Sequence, residues 1–245
     1  MRRFGLIGKS LKHSFSKSYF TQKFQKDNIE DCSYEIFELQ SVNEFPALLQ
    51  AYPDIAGLNI TIPYKEEITG YLNDKSEVVN QIGACNCIKV IEGKLHGFNT
   101  DVTGFKNSLQ SKLAPHHTGA LILGSGGAAK AVQYALKELG IEYRVVSRRK
   151  EFADLGYEEV DGGVLDRYKL IVNTTPLGMF PHVDDCPPLP YQLLTPQHFL
   201  FDLIYNPEKT KFLQQGESRG ARIANGHEML VIQAEESWRI WNQAE

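Results

Sequence analysis

Residues 119–140, GALILGSGGAAKAVQYALKELG, constrain the fold more than any other stretch of the chain. An apolar run predicts a buried strand, and a helical pattern then ends at Gly140. Between them Gly124, Gly126 and Ala129 form the pattern G-x-G-x-x-A. This order is typical of a dinucleotide-binding unit, because the glycines let backbone amides and the helix N-terminus approach a pyrophosphate. The alternative is a tight strand–helix turn that binds no ligand.

The segments that follow continue this pattern. EYRVVSRR, YKLIVNTTPLGM and HFLFDLIY each hold a short apolar run, as parallel strands buried on both faces do. The second strand ends at Ser147, Arg148 and Arg149, where an NAD site usually carries a carboxylate for the ribose. Two guanidinium groups favour a 2′-phosphate and therefore NADP, although a solvated basic turn is the alternative. Thr174 follows the third strand, at the sheet edge where ligands bind in open α/β folds.

The first hundred residues also alternate between strand and helix patterns, which predicts an α/β fold of two domains. We expect residues 1–101 to form one domain and residues 102–226 a Rossmann-like second domain. In the first, NCIKVIEGKLHGFNTD reads as a hairpin that turns at Glu92–Gly93. The final helix, 227–245, is expected to return to the first domain, with a buried stripe formed by Leu230, Ala234, Trp238 and Trp241.

The segment LNITIPYKEE, residues 58–67, carries an unusually placed lysine. Asn59 and Thr61 lie on the polar face of an alternating strand. Pro63 is expected to begin a helix that runs to about Leu72. Lys65 then falls in the first helical turn, where the helix dipole disfavours a cation. Lys65 is therefore either an ordinary surface lysine or a functional group.

Three further polar segments have no evident structural role. Ser14 and Ser16 are two apart after the first strand, so an extended backbone would point both hydroxyls the same way, as carboxylate binding requires. Capping of the next helix by Ser16 or Ser18 is an equally good interpretation. Asn86 lies in GACN, and Asp101 in GFNTD precedes a helix that it could cap.

Composition excludes several other classes of protein. The formal net charge of −4 over 245 residues gives no sign of nucleic-acid binding. No apolar run is long enough to span a bilayer, and MRRFGLIG lacks the features of a signal peptide, so the cytoplasm is the expected location. Cys85 and Cys87 form a C-x-C pair with no second pair or histidine cluster, so no metal site is expected.

Taken together, these motifs resemble the shikimate dehydrogenase family from one end of the chain to the other. The matching segments occur in the family's order: HSFS, NITIPYK, GACN, GFNTDVTG, GSGGAAKA, VNTTPLGM, DLIYNPEKTKFL and NGHEMLVIQA. The resemblance implies an N-terminal α/β catalytic domain, a Rossmann-like NADP-binding domain and a C-terminal helix that returns to the first. The chain departs from the family's usual residues at several positions, none of which removes a proposed catalytic group: Lys17, Cys87, Ser147, Arg149, His227 and Glu228.

The resemblance also implies a role for each site residue. Lys65 and Asp101 would form the catalytic pair. The shikimate or 3-dehydroshikimate substrate would be bound by Ser14, Ser16, Asn59, Thr61, Asn86, Asp101, Tyr205 and Gln233. NADP would be bound by Gly124, Ser125, Gly126, Gly127, Ala128, Ser147, Arg148, Arg149, Thr174, Leu203 and Gly226, the last two near the nicotinamide.

The reaction implied is reversible, NADPH-dependent reduction of 3-dehydroshikimate to shikimate, a step of aromatic amino acid (chorismate) biosynthesis. Lys65 is expected to supply the proton that the new alkoxide needs, and the sequence leaves open whether Lys65 or Asp101 carries the net proton. Two alternatives are a quinate/shikimate dehydrogenase that uses NAD and a non-catalytic ligand sensor on the same fold. The arginine pair argues against the first, and retention of Lys65 with Asp101 argues against the second. Both monomer and homodimer remain open.

Overall fold

The computed structural model describes residues 1–11 and 14–243. The strands are β1 Arg2–Gly8, β2 Cys32–Glu38, β3 Ile55–Ile60, β4 Asp74–Lys75, β5 Cys87–Ile91, β6 Lys94–Phe98, β7 Gly119–Leu123, β8 Glu142–Val146, β9 Leu170–Asn173, β10 Phe199–Asp202 and β11 Arg222–Ala224. The α-helices are α1 Phe15–Lys26, α2 Phe45–Ala51, α3 Glu77–Ile82, α4 Thr100–Gln110, α5 Gly127–Glu138, α6 Gly162–Arg167, α7 Lys211–Glu217 and α8 His227–Asn242. This confirms the predicted α/β class.

The chain divides into two compact units. Unit 1 comprises residues 1–100 with 234–245, and unit 2 comprises residues 101–233. Each unit is built on its own sheet and has its own hydrophobic core.

Unit 1 is built on a six-stranded sheet in the order β2-β1-β3-β5-β6-β4. The first three strands run parallel, and β5 and β6 form an antiparallel hairpin beside β3. The hairpin turn is the predicted one, since Glu92 and Gly93 both have positive φ, as a two-residue turn of this kind requires.

The part of α8 from Ala234 onward belongs to unit 1 and packs on its sheet, so the last helix returns to the first domain as predicted. Trp241 stacks on Phe4 at 4.7 Å and donates from Nε1 to the carbonyl of Ile88 at 2.9 Å. A Cβ at Gly57 would collide with the Trp241 ring, so glycine there admits the helix. Burying an aromatic side chain of this size stabilises a fold by roughly 1.5–3 kcal/mol.

The buried stripe of α8 differs from the predicted one. Ala234 and Trp241 are buried, but Leu230 and Trp238 are only half-buried. The fully buried positions also include Met229, Gln233, Ser237 and Ile240. The helix therefore turns two polar side chains inward, and hydropathy alone does not identify such positions.

Unit 2 is built on a five-stranded parallel sheet in the order β11-β10-β9-β7-β8. All residues of β7, β9 and β10 are buried, which agrees with the continuous apolar runs in the sequence. Helix α5 follows β7 directly, and Gly140 after it has a φ of 69°. The predicted strand–turn–helix unit is therefore present.

The predicted helix from Pro63 to Leu72 is wrong. Residues 62–66 form turns, and only Glu67–Tyr71 is helical, with 3-10 geometry. Pro63 therefore lies within a turn instead of beginning an α-helix, and the Ile62–Pro63 peptide is cis. Lys65 consequently lies in a turn and does not face the N-terminal dipole of an α-helix. Within residues 1–11 and 14–243, no helix is long and apolar enough to cross a membrane.

Candidate active site

Ser14 and Ser16 lie at the start of helix α1, and the extended arrangement predicted for them is wrong. Ser14 occupies the N-cap position and Ser16 lies within the first turn. The Ser14 hydroxyl makes no capping hydrogen bond, and its Oγ is buried without a partner among the described residues. A buried hydroxyl without a partner is costly, so one that persists calls for an explanation such as a ligand. His13 of the HSFS motif lies outside the described residues.

Thr61 and Lys65 are held by backbone hydrogen bonds to two neighbouring segments. The Thr61 amide donates to the carbonyl of Ile7 at 2.9 Å, and the Cys85 amide donates to the carbonyl of Lys65 at 2.7 Å. Between them Tyr64 is buried, and its hydroxyl donates to the carbonyl of Leu39. Lys65 itself is half-buried. The lysine is therefore carried by a short, anchored turn beside the GACN segment.

Asn59 belongs to a buried polar network within unit 1. Its Oδ1 accepts from the Tyr34 hydroxyl at 2.8 Å, and its Nδ2 donates to Ser237 Oγ at 2.9 Å and to the Asn86 carbonyl at 3.4 Å. Ser237 Oγ also lies 3.3 Å from Thr100 Oγ1. Because both amide hydrogens of Asn59 are used, only an oxygen lone pair remains for a ligand. This network joins α8 to the centre of the sheet.

Asn86 fixes the start of helix α4. Its Oδ1 accepts from the Thr100 amide at 2.6 Å, and its Nδ2 donates to the Thr100 hydroxyl at 3.0 Å. Asp101 follows in the first turn of α4 and is buried, with 6% of its surface exposed. The side chain of Asn86 therefore sets the backbone from which Asp101 projects. Asn59, Thr61, Lys65 and Asn86 come together in unit 1, whereas Asp101 is the first residue of unit 2.

Two further predicted substrate ligands lie in unit 2. Gln233 is buried on α8, and its Nε2 donates to the carbonyl of Leu230 at 3.1 Å. Helix α4 approaches it closely, since a Cβ at Gly104 would lie 3.1 Å from the Gln233 Cβ. Tyr205 is half-buried in the loop after β10.

The glycine turn leaves an open, uncapped helix N-terminus. Gly124 has a φ of 108°, and a Cβ there would meet Thr174 Oγ1 at 2.8 Å, so this position requires glycine. Gly126 is the N-cap of α5, and a Cβ there would meet nothing within 4 Å. The helix begins at Gly127 and Ala128 with no acidic residue in its first turn. Its first amides are therefore available to an anion.

The basic turn after β8 is organised by Ser147. The Ser147 Oγ accepts from the Arg149 amide at 3.2 Å and lies 3.5 Å from Ser125 Oγ. The guanidinium groups of Arg148 and Arg149 are exposed, and neither has a hydrogen bond or an ion pair with another described residue. In contrast, Lys150 is paired with glutamates 158 and 159. The two arginines therefore have free guanidinium groups for an anionic ligand.

The remaining predicted cofactor residues lie at the carboxyl edge of the sheet. Thr174 donates from its hydroxyl to the Leu123 carbonyl at 2.6 Å, which joins the ends of β9 and β7. The Gly226 amide donates to the Ile204 carbonyl at 3.1 Å, and a Cβ at Gly226 would collide with the carbonyl of Leu203. The residues predicted from the sequence, Gly124, Thr174, Leu203 and Gly226, are thus close neighbours along this edge.

Sequence reasoning missed four members of the two buried networks. Thr100 and Ser237 complete the network around Asn59 and Asn86. Asp202 ends β10 and Thr210 precedes α7, and the Thr210 hydroxyl donates to the Asp202 carboxylate near the carboxyl edge of the sheet. The signal was present for two of them, because Thr100 lies in GFNTD and Asp202 opens DLIYNPEKTKFL. Among the described residues, no group of three or more histidine, cysteine, aspartate or glutamate side chains could hold a metal ion.

Comparison with known proteins identifies the family. The sequence profile described as "Shikimate dehydrogenase substrate binding domain" matches residues 6–88. A Clostridium botulinum protein named shikimate dehydrogenase (NADP(+)) is 40% identical over 248 residues, which cover 97% of this chain and 95% of that protein. The chain belongs to the shikimate dehydrogenase family.

Two further relatives agree with this assignment. A shikimate dehydrogenase (NADP(+)) from Caldicellulosiruptor bescii is 37% identical, with 98% of this chain and 89% of that protein covered. The crystal structure of a Thermus thermophilus shikimate 5-dehydrogenase in complex with NADP(H) and shikimate superposes with a TM-score of 0.88 at 32% identity. That superposition covers 99% of this chain and 94% of that one. Family membership therefore extends over both units.

Proposed function

We propose that this chain is an NADP-dependent oxidoreductase that catalyses the reversible reduction of 3-dehydroshikimate to shikimate, a step of chorismate and aromatic amino acid biosynthesis. Near full-length similarity to NADP-dependent shikimate dehydrogenases supports the activity. The structural observation that carries the proposal is the buried hydroxyl of Ser14, which has no partner among the described residues and lies in the same unit as Lys65. We assign substrate binding to residues 1–101 with 227–245, and cofactor binding to residues 102–226.

The residues of unit 2 fit NADP. The open N-terminus of α5 and the space above Gly126 suit a pyrophosphate. Arg148 and Arg149, whose guanidinium groups have no partner in the described part of the chain, suit a 2′-phosphate. Ser125 and Ser147 add hydroxyls between these two subsites. NADPH, when bound, supplies the hydride that the ketone carbon accepts. Thr174, Leu203 and Gly226 would line the nicotinamide end.

The residues proposed for the substrate, five of them in unit 1 and Tyr205 and Gln233 in unit 2, are suited to a small, hydroxylated carboxylic acid. Ser14 and Ser16 would donate to the substrate carboxylate, with Tyr205 assisting. Thr61, Asn86 and Gln233 would orient the ring hydroxyls, and Asn59 would act both as an acceptor and as the anchor of this surface. Since Asn59 and Asn86 are already fixed by other side chains, this surface is preorganised, which lowers the entropic cost of orienting the substrate.

Lys65 and Asp101 would carry the proton chemistry. Hydride addition turns the ketone oxygen into an alkoxide, which needs a proton, and the Lys65 ammonium is the donor on the substrate surface of unit 1. In the reverse direction the lysine amine would take the hydroxyl proton. Asp101 would orient the ammonium group and exchange protons with it. The anchored turn of residues 61–66 holds Lys65 at a fixed position relative to Thr61.

The direct test is the loss of NADPH absorbance on addition of 3-dehydroshikimate. Lys65→Ala should lower turnover by at least about a hundredfold, as expected when a general acid–base is removed. Lys94→Ala is the matched control, because Lys94 is an exposed lysine of the same unit on β6. Turnover of the Lys65 variant close to that of the control would refute the assignment of Lys65. Absence of turnover in the wild type would refute the proposed function.

The same assay separates the alternatives. An NAD-dependent quinate/shikimate dehydrogenase would reduce NAD with quinate at least as fast as NADP with shikimate, which the free arginine pair disfavours. A ligand sensor would bind both ligands without turnover. We also propose a small-molecule substrate, a cytoplasmic location, and a monomer or homodimer, which light scattering would distinguish.

A further inference from the structure

Asp202 is a fully buried carboxylate at the end of β10, with 0% of its surface exposed. Three donors satisfy it. Oδ1 accepts from Asn173 Nδ2 and from the Ile204 amide, both at 3.0 Å, and Oδ2 accepts from the Thr210 hydroxyl at 2.5 Å. None of these donors is charged, so among the described residues the carboxylate is held by neutral groups.

Each of the three donors belongs to a different segment at the carboxyl edge of the unit 2 sheet, where we propose that the cofactor binds. Asn173 ends β9, and its Oδ1 accepts from the amide and hydroxyl of Thr175, which shapes the loop that begins at Thr174. Ile204 follows Leu203 and accepts from the Gly226 amide. Thr210 caps helix α7, since its Oγ1 accepts from the Leu213 amide at 3.4 Å. A single carboxylate therefore ties together the two loops that carry the predicted nicotinamide-side residues.

Pairing with a cation among the described residues does not explain why the Asp202 carboxylate is buried. Burial raises the pKa of Asp202 to about 6, against the lowering effect of its three hydrogen bonds. Burial is the main cause that raises the pKa of Tyr191, and the Asp202 charge adds to it. The nearest lysines along the chain are engaged elsewhere, since Lys209 pairs with Glu217 and Lys211 donates to the Asp184 carbonyl. A buried carboxylate without a cation is costly to fold, so stability alone does not account for it.

We propose that Asp202 is a positioning residue. It holds the loops after β9 and β10 in fixed positions relative to each other, so that the nicotinamide end of the cofactor site is formed before the cofactor binds. This inference rests on the proposed function. It assigns to Asp202 no contact with substrate or cofactor. Its effect should therefore reach the reacting end of the cofactor and spare the adenosine end, which the residues at 124–128 and 147–149 would bind.

The experiment compares two ligands on one set of variants. Asp202→Leu removes the acceptors, and Asp202→Asn keeps an oxygen for Asn173 and Ile204 while its amide group can donate to the Thr210 hydroxyl. The binding of NADPH is measured beside that of adenosine 2′,5′-bisphosphate, which lacks the nicotinamide half. Turnover with 3-dehydroshikimate is measured in parallel.

We expect Asp202→Leu to lose at least about tenfold in kcat/KM, because misplacing a reacting group by about an ångström can cost up to a hundredfold. Its affinity for the bisphosphate should stay within about twofold of wild type, so that the preference for NADPH over the bisphosphate shrinks. Asp202→Asn should recover most of kcat/KM. A general folding defect would lower both affinities together and would not be rescued by Asn, and that result overturns the proposal.

A second pair of variants covers the case in which Asp202→Leu does not fold. Thr210→Val removes one donor to Asp202 and the cap of α7, whereas Asp161→Ala removes only the cap of α6, where Asp161 accepts from the Val164 amide at 2.9 Å. Only the Thr210 variant should reduce the preference for NADPH over the bisphosphate. If Thr210→Val and Asp161→Ala reduce this preference equally, the proposal is overturned. If the wild type shows no turnover, the proposed function fails, but the ratio of the two affinities still decides the role of Asp202.

Discussion

Removing the Ser237 hydroxyl should destabilise unit 1 without touching a predicted catalytic group. Ser237 is 0% exposed, and its Oγ accepts one of the two amide hydrogens of Asn59 at 2.9 Å. In Ser237→Ala that hydrogen loses its partner, and the other retains only a long bond of 3.4 Å to the Asn86 carbonyl. Asn59 is itself buried, with 5% exposed, so water cannot replace the lost acceptor.

The expected loss of unfolding free energy follows from the Asn59 amide hydrogen that is left without an acceptor. Leaving one buried donor unsatisfied costs about 1–3 kcal/mol, whereas an exposed hydroxyl contributes within about 0.5 kcal/mol. Ser237→Ala should therefore lower the free energy of unfolding of unit 1 by about 1–3 kcal/mol. Ser18→Ala is the control, because Ser18 is an exposed serine on α1 of the same unit whose hydroxyl accepts from the exposed Gln22 side chain.

Tryptophan fluorescence during urea unfolding is a selective assay for this effect. The chain has two tryptophans, Trp238 and Trp241, and both belong to unit 1. The emission change therefore reports the unfolding of unit 1 even if unit 2 unfolds separately. An unfolding free energy for Ser237→Ala within about 0.3 kcal/mol of the Ser18 control would refute the reasoning, because it would mean that Asn59 finds another acceptor at no cost.

Two further predictions concern unit 2. Burial lowers the pKa of both His117 and His198, so protons bind preferentially to the unfolded chain and stability falls as the pH drops below the ordinary histidine pKa of about 6.5. Between about pH 7.5 and about pH 6 each should cost up to about 0.8 kcal/mol, and thermal melts of His198→Gln should show a shallower pH slope than wild type; an equal slope would contradict this. Replacing Arg148 and Arg149 by Ala should reduce the kcat/KM preference for NADPH over NADH by about 10–100-fold, as expected for lost charge-assisted contacts, whereas Lys150→Ala should change it little because its partners are glutamates.

The sequence was sufficient wherever a local pattern determines the structure. The run from 119 to 140 predicted β7, the glycine turn and α5, because apolar continuity, positive φ and helical periodicity are all properties of neighbouring residues. The Glu92–Gly93 turn is another such case. The α/β class and the return of the last helix to unit 1 followed from the same kind of evidence.

The prediction failed where the deciding interaction is distant in sequence or where a turn replaces the helix that local preferences favour. Pro63 suits a helix start, but residues 62–66 form turns and the helical segment begins only at Glu67, so Lys65 lies in a turn. Ser14 and Ser16 were given an extended spacing, although helix α1 already begins at Phe15. Ser237 is separated from Asn59 by 178 residues, and no local pattern marks a serine as the partner of so distant an amide.

These failures change how the lysine should be understood. Its position at a helix N-terminus was the sequence's reason for singling out Lys65, and that reason is not supported by the structure. What remains is a positional argument: the Lys65 carbonyl is bound by the Cys85 amide, and Asn86, the next residue, holds the Thr100 amide at the start of α4. The backbones that carry Lys65 and Asp101 are thus linked through two adjacent residues of GACN. A displacement of that segment should shift the Lys65 backbone and the start of α4 together, so we expect Asn86 to position this part of unit 1.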